Sequence, residues 1–278
     1  MPPPTNAITP PPPPPPPPPG MAKRTAKTFG SSTGTRAKAQ RVGVYGEGGV
    51  GKTRLVAALV QAGVRAKWID LEDGSNAVEV DRIEDVESYD DVLDALQQES
   101  LWTGFDAVVI DSVTRFEYLA TKWTVENVET EKGEKVKNIE GYGFGKGYRH
   151  LYDQFYKLLP ALDRHIRAGR HVILTAHANA TNVVNPAGED YAKFSPRLHH
   201  SDKSSIRSAF YEWLDHLLFV KLDVAVSKDG VAQGAGGRTI YTAPLPYHDA
   251  KSKTIAQSFI YTPAKAVEVW RAILPNAK

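Results

Sequence analysis

Eight consecutive residues, Gly46-Glu47-Gly48-Gly49-Val50-Gly51-Lys52-Thr53, carry the spacing G-x-x-x-x-G-K-T. In that spacing the glycines let backbone N–H groups turn inward around phosphate oxygens. A helix that starts at the end of such a loop adds the partial positive charge of its first turn. Lys52 has the reach for the β- and γ-phosphates of a nucleoside triphosphate, the Thr53 hydroxyl suits a Mg²⁺ shell, and Arg54 completes the set of nucleotide contacts. ATP and Mg²⁺ are the cofactors this pattern implies. A second carboxylate belongs with it: the apolar run Phe105-Asp106-Ala107-Val108-Val109-Ile110 ends in Asp111-Ser112. In an open parallel sheet ligands sit beyond the carboxyl ends of the strands, so Asp111 is placed to hold Mg²⁺. Asp111 or Ser112 can also cap the apolar helix that follows, and both roles can hold at once.

Positioning these groups requires strand, loop and helix in that order. Arg41 to Tyr45 reads as a short apolar strand, and Thr53 to Ala62 as a helix with Leu55, Val56, Leu59 and Val60 on one side and Gly63 as its stop. Ala66 to Gly74 reads as a buried strand ending in carboxylates, Val78 to Ile83 as a third strand and Ser88 to Gln98 as a helix. Val113 to Trp123 is helical, and residues 127 to 147 are polar and then glycine-rich. One long helix is predicted from Tyr148 to Ala168, then a buried strand from His171 to His177 and an irregular stretch from Ala178 to Ser205. Ile206 to Trp213 is a helix. Leu217 to Val226 and Arg238 to Thr242 are strands joined by the glycine-rich turn Asp229 to Gly237, and Tyr261 to Ile273 finishes with a helix. The fold class expected is α/β, a mostly parallel central sheet flanked by helices.

The chain has 278 residues, 41% of them hydrophobic, and no cysteine, so neither disulfides nor thiolate metal sites are available to it. No stretch approaches the about 18 consecutive apolar residues of a membrane span, and no secretory leader is legible; a cytoplasmic setting follows. Pro10 to Pro19 is unbroken proline, a stiff rod that cannot join a core, and residues 21 to 40 are Ser, Thr, Gly, Lys and Arg with little to bury. Two regions are therefore expected, a disordered Pro-rich then basic arm over 1–40 and a folded domain over 41–278. A ligand for a proline-binding groove is one reading of the rod; an inert spacer, or the product of a start read ahead of Met21, is the plainer one and is preferred. Residues 1 to 46 contain six bases and no acid, which leaves 28 bases against 32 acids in the rest. Nucleic acid would have to be held by local patches or by the arm.

With these residues laid out, the chain resembles the RecA-type P-loop ATPases, most closely the compact phage ATPases of single-strand annealing and recombination, over about residues 41 to 262. The resemblance implies a RecA-like core, Mg-dependent ATP hydrolysis stimulated by DNA, and the host cytoplasm as location. Trp68-Ile69-Asp70-Leu71-Glu72 is similar to the segment whose glutamate polarises the attacking water, which puts Glu72 in that role. His177 falls where the family usually has a polar residue, often glutamine, that senses the γ-phosphate. Gly141 to Gly147 and Ala178 to Ser205 occupy the places of the two DNA-binding loops. They offer Tyr142, Phe144, Tyr148 and Tyr191 for stacking on bases and Lys146, Arg149, Lys193 and Arg197 for phosphates; packing at the start of a helix is the plainer reading of Phe144 and Tyr148. Lys251-Ser252-Lys253 resembles the pair that reaches a neighbouring subunit's γ-phosphate, which implies a homo-oligomer, ring or filament. The partners implied are single-stranded DNA and further copies of the chain. A partition-type ATPase, or another P-loop ATPase that does not act on single strands, is the alternative; partition proteins usually carry lysine as the second loop residue, where this chain has Glu47.

Overall fold

Alternation along the apolar runs decides which side chains face which helices. In a computed structural model the described residues are 38–186, 188–226, 232–275 and 277; the arm expected over 1–40 lies almost wholly outside them. Strand β1 (Arg41–Gly46) sends Val42 and Val44 to one face of the sheet and Tyr45 to the other. Strand β4 (Ala107–Asp111) does the same with Ala107 and Val109 against Val108 and Ile110. Both faces are therefore apolar and both are covered, as parallel strands require.

The face that carries Tyr45, Val108 and Ile110 packs under five helices: α2 (Tyr89–Gln97), α3 (Val113–Asn127), α4 (Lys146–Tyr156), α5 (Leu158–Arg167) and α6 (Ile206–Trp213). The face that carries Val42, Val44, Ala107 and Val109 packs under α1 (Lys52–Ala57) and α7 (Pro263–Ile273). The remaining strands are β2 (Ala66–Asp70), β3 (Asp81–Arg82), β5 (His171–Val183), β6 (Tyr191–Pro196), β7 (His216–Val226), β8 (Ala232–Tyr241) and β9 (Phe259–Ile260). The sheet runs β3-β2-β4-β5-β1-β7-β8-β9, with β6 attached to the far half of β5. From β3 to β7 all neighbours are parallel; β8 and β9 close the edge antiparallel. This is the mostly parallel α/β sheet flanked by helices that the sequence predicts.

Several elements differ from expectation. Helix α1 is six residues long, because beyond Ala57 the chain tightens into i to i+3 turns, Leu59 N to Val56 O at 3.0 Å and Gly63 N to Val60 O at 3.0 Å. The long helix expected from Tyr148 is two helices, separated at Lys157. Strand β5 does not stop at His177: it runs on to Val183 and turns back as β6, so most of the stretch read as irregular is a β-hairpin in which Ala178 pairs with Pro196 and Val183 with Tyr191. Strand β8 takes in most of the glycine-rich stretch read as a turn, whose tip, 227–231, lies outside the described residues. Packing also starts ahead of β1, with Ala39 buried and Gln40 N donating to His171 Nδ1 at 3.0 Å.

Candidate active site

Strand register gathers the predicted residues on one edge of the sheet. Gly46 pairs with His177 across β1 and β5, and Asp70 with Asp111 across β2 and β4, so the ends of β1, β2 and β4 and the end of the parallel part of β5 meet where the glycine loop begins. The loop then turns back over that edge. Gly51 sits at φ +101°, a conformation open to glycine, and a Cβ there would lie 3.1 Å from the ring of Tyr261. Lys52 is buried and curls over the loop, its Nζ donating to Gly46 O at 3.1 Å and Glu47 O at 3.0 Å. Burial lowers its pKa and nearby Asp111 opposes that shift.

Asp111 is 4% exposed, accepts from Thr53 Oγ1 at 2.8 Å through Oδ2, and accepts from Thr175 Oγ1 through Oδ1. Burial raises its pKa, against the pull of those two hydroxyls. The helix-cap role falls to its neighbour: the Ser112 hydroxyl accepts from Arg115 N at 3.2 Å at the start of α3, which leaves Asp111 facing the loop. Among the described residues no cluster of three or more His, Asp or Glu could hold a metal. One carboxylate and one hydroxyl side by side are what Mg²⁺ takes when phosphates and water fill its other positions. The donors present therefore fit MgATP, with Thr53 and Asp111 as the metal's side and Lys52 with the loop amides as the phosphate's side.

Glu72 lies two residues past the end of β2 and crosses to the neighbouring strands. It accepts from the Ser112 hydroxyl through Oε1 and from His177 Nε2 at 2.9 Å through Oε2. The His177 hydrogen bond, then that of Ser112, hold its carboxyl down to about 2, against burial. A cleft of about 440 Å³ joins these groups, lined by Gly49, Gly51, Lys52, Thr53, Arg54, Glu72, Asp111 and His177 and, among residues sequence reasoning missed, by the cation Arg238. Tyr261 was missed as a site residue too; its hydroxyl donates to Gly51 O at 3.3 Å. Neither carries a motif, and only the pairing of β8 beside β7 brings them to the loop.

The residues predicted for nucleic acid separate. Tyr142 is buried, with its hydroxyl donating to Thr124 O at 2.9 Å and Val128 O at 2.7 Å, so it is a packing residue and not a free stacking face. Phe144 is 97% exposed at a loop tip between Gly143 and Gly145, all three at positive φ. Along α4 the rings of Tyr148, Tyr152 and Tyr156 follow at intervals of four residues, a rise of about 6 Å each. Tyr148 stacks on His199 at 4.2 Å, Tyr152 stacks on Tyr156 at 5.8 Å, and the Arg149 guanidinium lies 5.7 Å over Tyr152. A groove of about 770 Å³ runs beside Tyr152 and Tyr156, with Lys203 and Trp213 on its other wall. Lys146 pairs with Glu131 at 2.8 Å, Arg149 with Asp153 at 3.6 Å and Lys193 with Asp249 at 2.6 Å. Arg197 leaves the group: its N donates to His177 O at 2.8 Å, and it lines a cleft with Glu72 and His177 beside the loop.

Lys251 and Lys253 are not brought to the loop. Lys251 Nζ donates to Tyr211 O, and Lys253 pairs with Asp215, whose N donates to Arg41 O at the opposite end of β1. No helix among the described residues is long and apolar enough to cross a membrane. No curated protein matches the chain. One similar solved structure is of a prototypical ATPase from the type III secretion system of pathogenic bacteria, at 16% identity and a TM-score of 0.40 over 66% of this chain. This chain spans about half (52%) of that one's length. Residues 38–254 match the family model of the AAA domain, and with its glycine loop, Lys52 and Asp111 in place the chain belongs to that family of P-loop ATPases.

Proposed function

We propose that this protein is a Mg²⁺-dependent ATPase that binds single-stranded DNA and works in annealing or recombination. The observation that carries the DNA reading is the row of aromatic rings that starts at the exposed tip Phe144 and continues through Tyr148, Tyr152 and Tyr156. Stacking on such rings tolerates any base, and the about 6 Å of helix rise from Tyr148 to Tyr152 and from Tyr152 to Tyr156 is wider than the about 3.4 Å between stacked nucleotides, which suits a strand with its bases drawn apart. Arg149 and Lys203 supply cations in the groove beside Tyr152 and Tyr156.

In the catalytic step Lys52 and the loop amides hold the phosphates, Thr53 and Asp111 hold the metal, and Glu72 accepts a proton from the attacking water. When ATP and Mg²⁺ are bound they supply the labile anhydride and the charge that steadies it. His177 connects the two halves of the reading. It hydrogen-bonds Glu72 midway along β5, and the hairpin of β5 and β6 begins at the next residue. A nucleotide that drew His177 away from Glu72 would both free the carboxylate and shift the hairpin.

The test is the affinity of a fluorescein-labelled single-stranded oligonucleotide, read by anisotropy with and without MgATP. Phe144→Ala should weaken binding about 5- to 150-fold at about 1–3 kcal/mol per stacked base. Equal affinity of wild type and Phe144→Ala, or no binding by either, would remove the DNA reading while leaving the ATPase.

A further inference from the structure

Cleaving a phosphate anhydride moves negative charge onto the departing oxygens, and a fixed cation beyond the loop lysine steadies it. The sequence resemblance puts that cation on Lys251 and Lys253 of a neighbouring copy. Both are committed elsewhere in their own chain, at the end of β1 remote from the loop, about 17 Å away along five residues of strand.

Strand register puts a different cation at the loop. Gly46 pairs with Val220 across β1 and β7, and two residues further on Leu222 pairs with Arg238 across β7 and β8. Arg238 is thereby carried past the end of β1, over the start of the glycine loop. Its Nη1 lies 3.6 Å from where a Cβ on Gly51 would stand, beside the Tyr261 ring that lies 3.1 Å from the same point. The position is braced, since Arg238 O accepts from Tyr261 N at 2.7 Å and the Tyr261 hydroxyl donates to Gly51 O. Among the described residues the guanidinium has no carboxylate within ion-pairing distance, although it is only partly open to solvent and lines the phosphate cleft with Lys52 and Thr53. A half-buried guanidinium without an anion is costly to hold, and a phosphate meets its planar fork with two parallel hydrogen bonds.

We propose that Arg238 binds the phosphates of the nucleotide held by the loop of its own chain, so that each chain carries its second phosphate cation in cis. The assignment rests on the nucleotide reading of the site. It accounts for the bare Gly51: any side chain there would stand where the Tyr261 ring packs and would separate Arg238 from the loop.

The experiment uses the full chain and the variants Arg238→Ala, Arg238→Lys and Lys52→Ala, with thermal melts to establish that each folds. Titration with a fluorescent ATP analogue and steady-state hydrolysis are measured on each alone and on an equimolar mixture of Arg238→Ala with Lys52→Ala. In cis action predicts a loss of at least tenfold in kcat/KM for Arg238→Ala, partial recovery in Arg238→Lys, and no recovery on mixing. Recovery on mixing would mean the arginine acts across an interface and would overturn the proposal. Wild-type behaviour of Arg238→Ala, with Lys52→Ala defective, would overturn this assignment alone. Equal, negligible nucleotide binding by wild type and Lys52→Ala would overturn the nucleotide reading and this one with it. Should Arg238→Ala fail to fold, the comparison of Arg238→Lys with wild type decides, since lysine keeps the charge and loses the paired geometry: unchanged kcat/KM would overturn the proposal.

Discussion

Replacing Glu72 by glutamine removes a proton acceptor while keeping the shape of the site. The amide oxygen of the substituted side chain still accepts from the Ser112 hydroxyl, and the amide still reaches the His177 ring, so the packing beside the loop is retained. What disappears is the carboxylate's ability to take a proton from water as the terminal phosphate departs. Positioned general bases contribute about 10²- to 10⁴-fold, or about 3–5 kcal/mol of barrier at about 1.4 kcal/mol per decade. The native carboxylate also contributes to stability: its pKa, near 2, is below the usual value, which favours the folded state at neutral pH. With 29% of the side chain exposed, that contribution is about 1–3 kcal/mol. It is present above about pH 4.5 and lost as pH falls towards 2. Glu72→Gln should therefore melt a few degrees lower and lose at least 100-fold in single-turnover ATP hydrolysis. Its affinity for a fluorescent ATP analogue should stay within about threefold of wild type. A turnover rate within threefold of wild type, measured where both proteins are folded and saturated, would refute the role given to Glu72.

Trp270→Phe should cost about 1–3 kcal/mol, seen as a lower urea midpoint, because the buried indole Nε1 donates to Leu55 O at 2.7 Å and phenylalanine leaves that carbonyl unmet under the loop helix. Gly51→Ala is expected to abolish nucleotide binding in the same titration, since its Cβ meets Tyr261 at 3.1 Å and φ +101° strains any side chain by about 1–3 kcal/mol. Burial lowers His165, His171 and His216 to about 4 each, so unfolded chains take up protons below pH 6.5 that the folded chain refuses. Stability should fall steeply from pH 6.5 to 4, and His171→Gln should flatten that slope in melts against pH.

What was legible in the sequence follows from what local pattern can encode. The loop, Asp111 and Glu72 sit at the ends of apolar runs, and parallel pairing must bring such ends to one edge. The register of Gly46 with His177 and of Asp70 with Asp111 does so. Alternation in β1 and β4 likewise reads directly as two covered faces. Residues whose placement depends on distant pairing were hidden. Arg238 reaches the loop only through β7, and Tyr261 only through its bond to Arg238 O. Tyr142 looked free among glycines, yet Gly147 allows the backbone of Ile139 to approach so closely that Tyr142 turns inward. The hairpin of β5 and β6 was obscured because Ala178 to Val183 mixes small and polar residues on both sides, and its pairing with β6 is not marked by any clear apolar alternation.

The central claim joins ATP turnover to single-stranded DNA, and steady-state ATP hydrolysis tests it most directly. The measurement compares no DNA, a single-stranded oligonucleotide and its duplex, with Lys52→Ala as the blank. The account predicts a rate raised selectively by the single strand and absent in Lys52→Ala. A rate abolished by Lys52→Ala but indifferent to DNA would contradict it, leaving an ATPase whose partner is something other than a single strand.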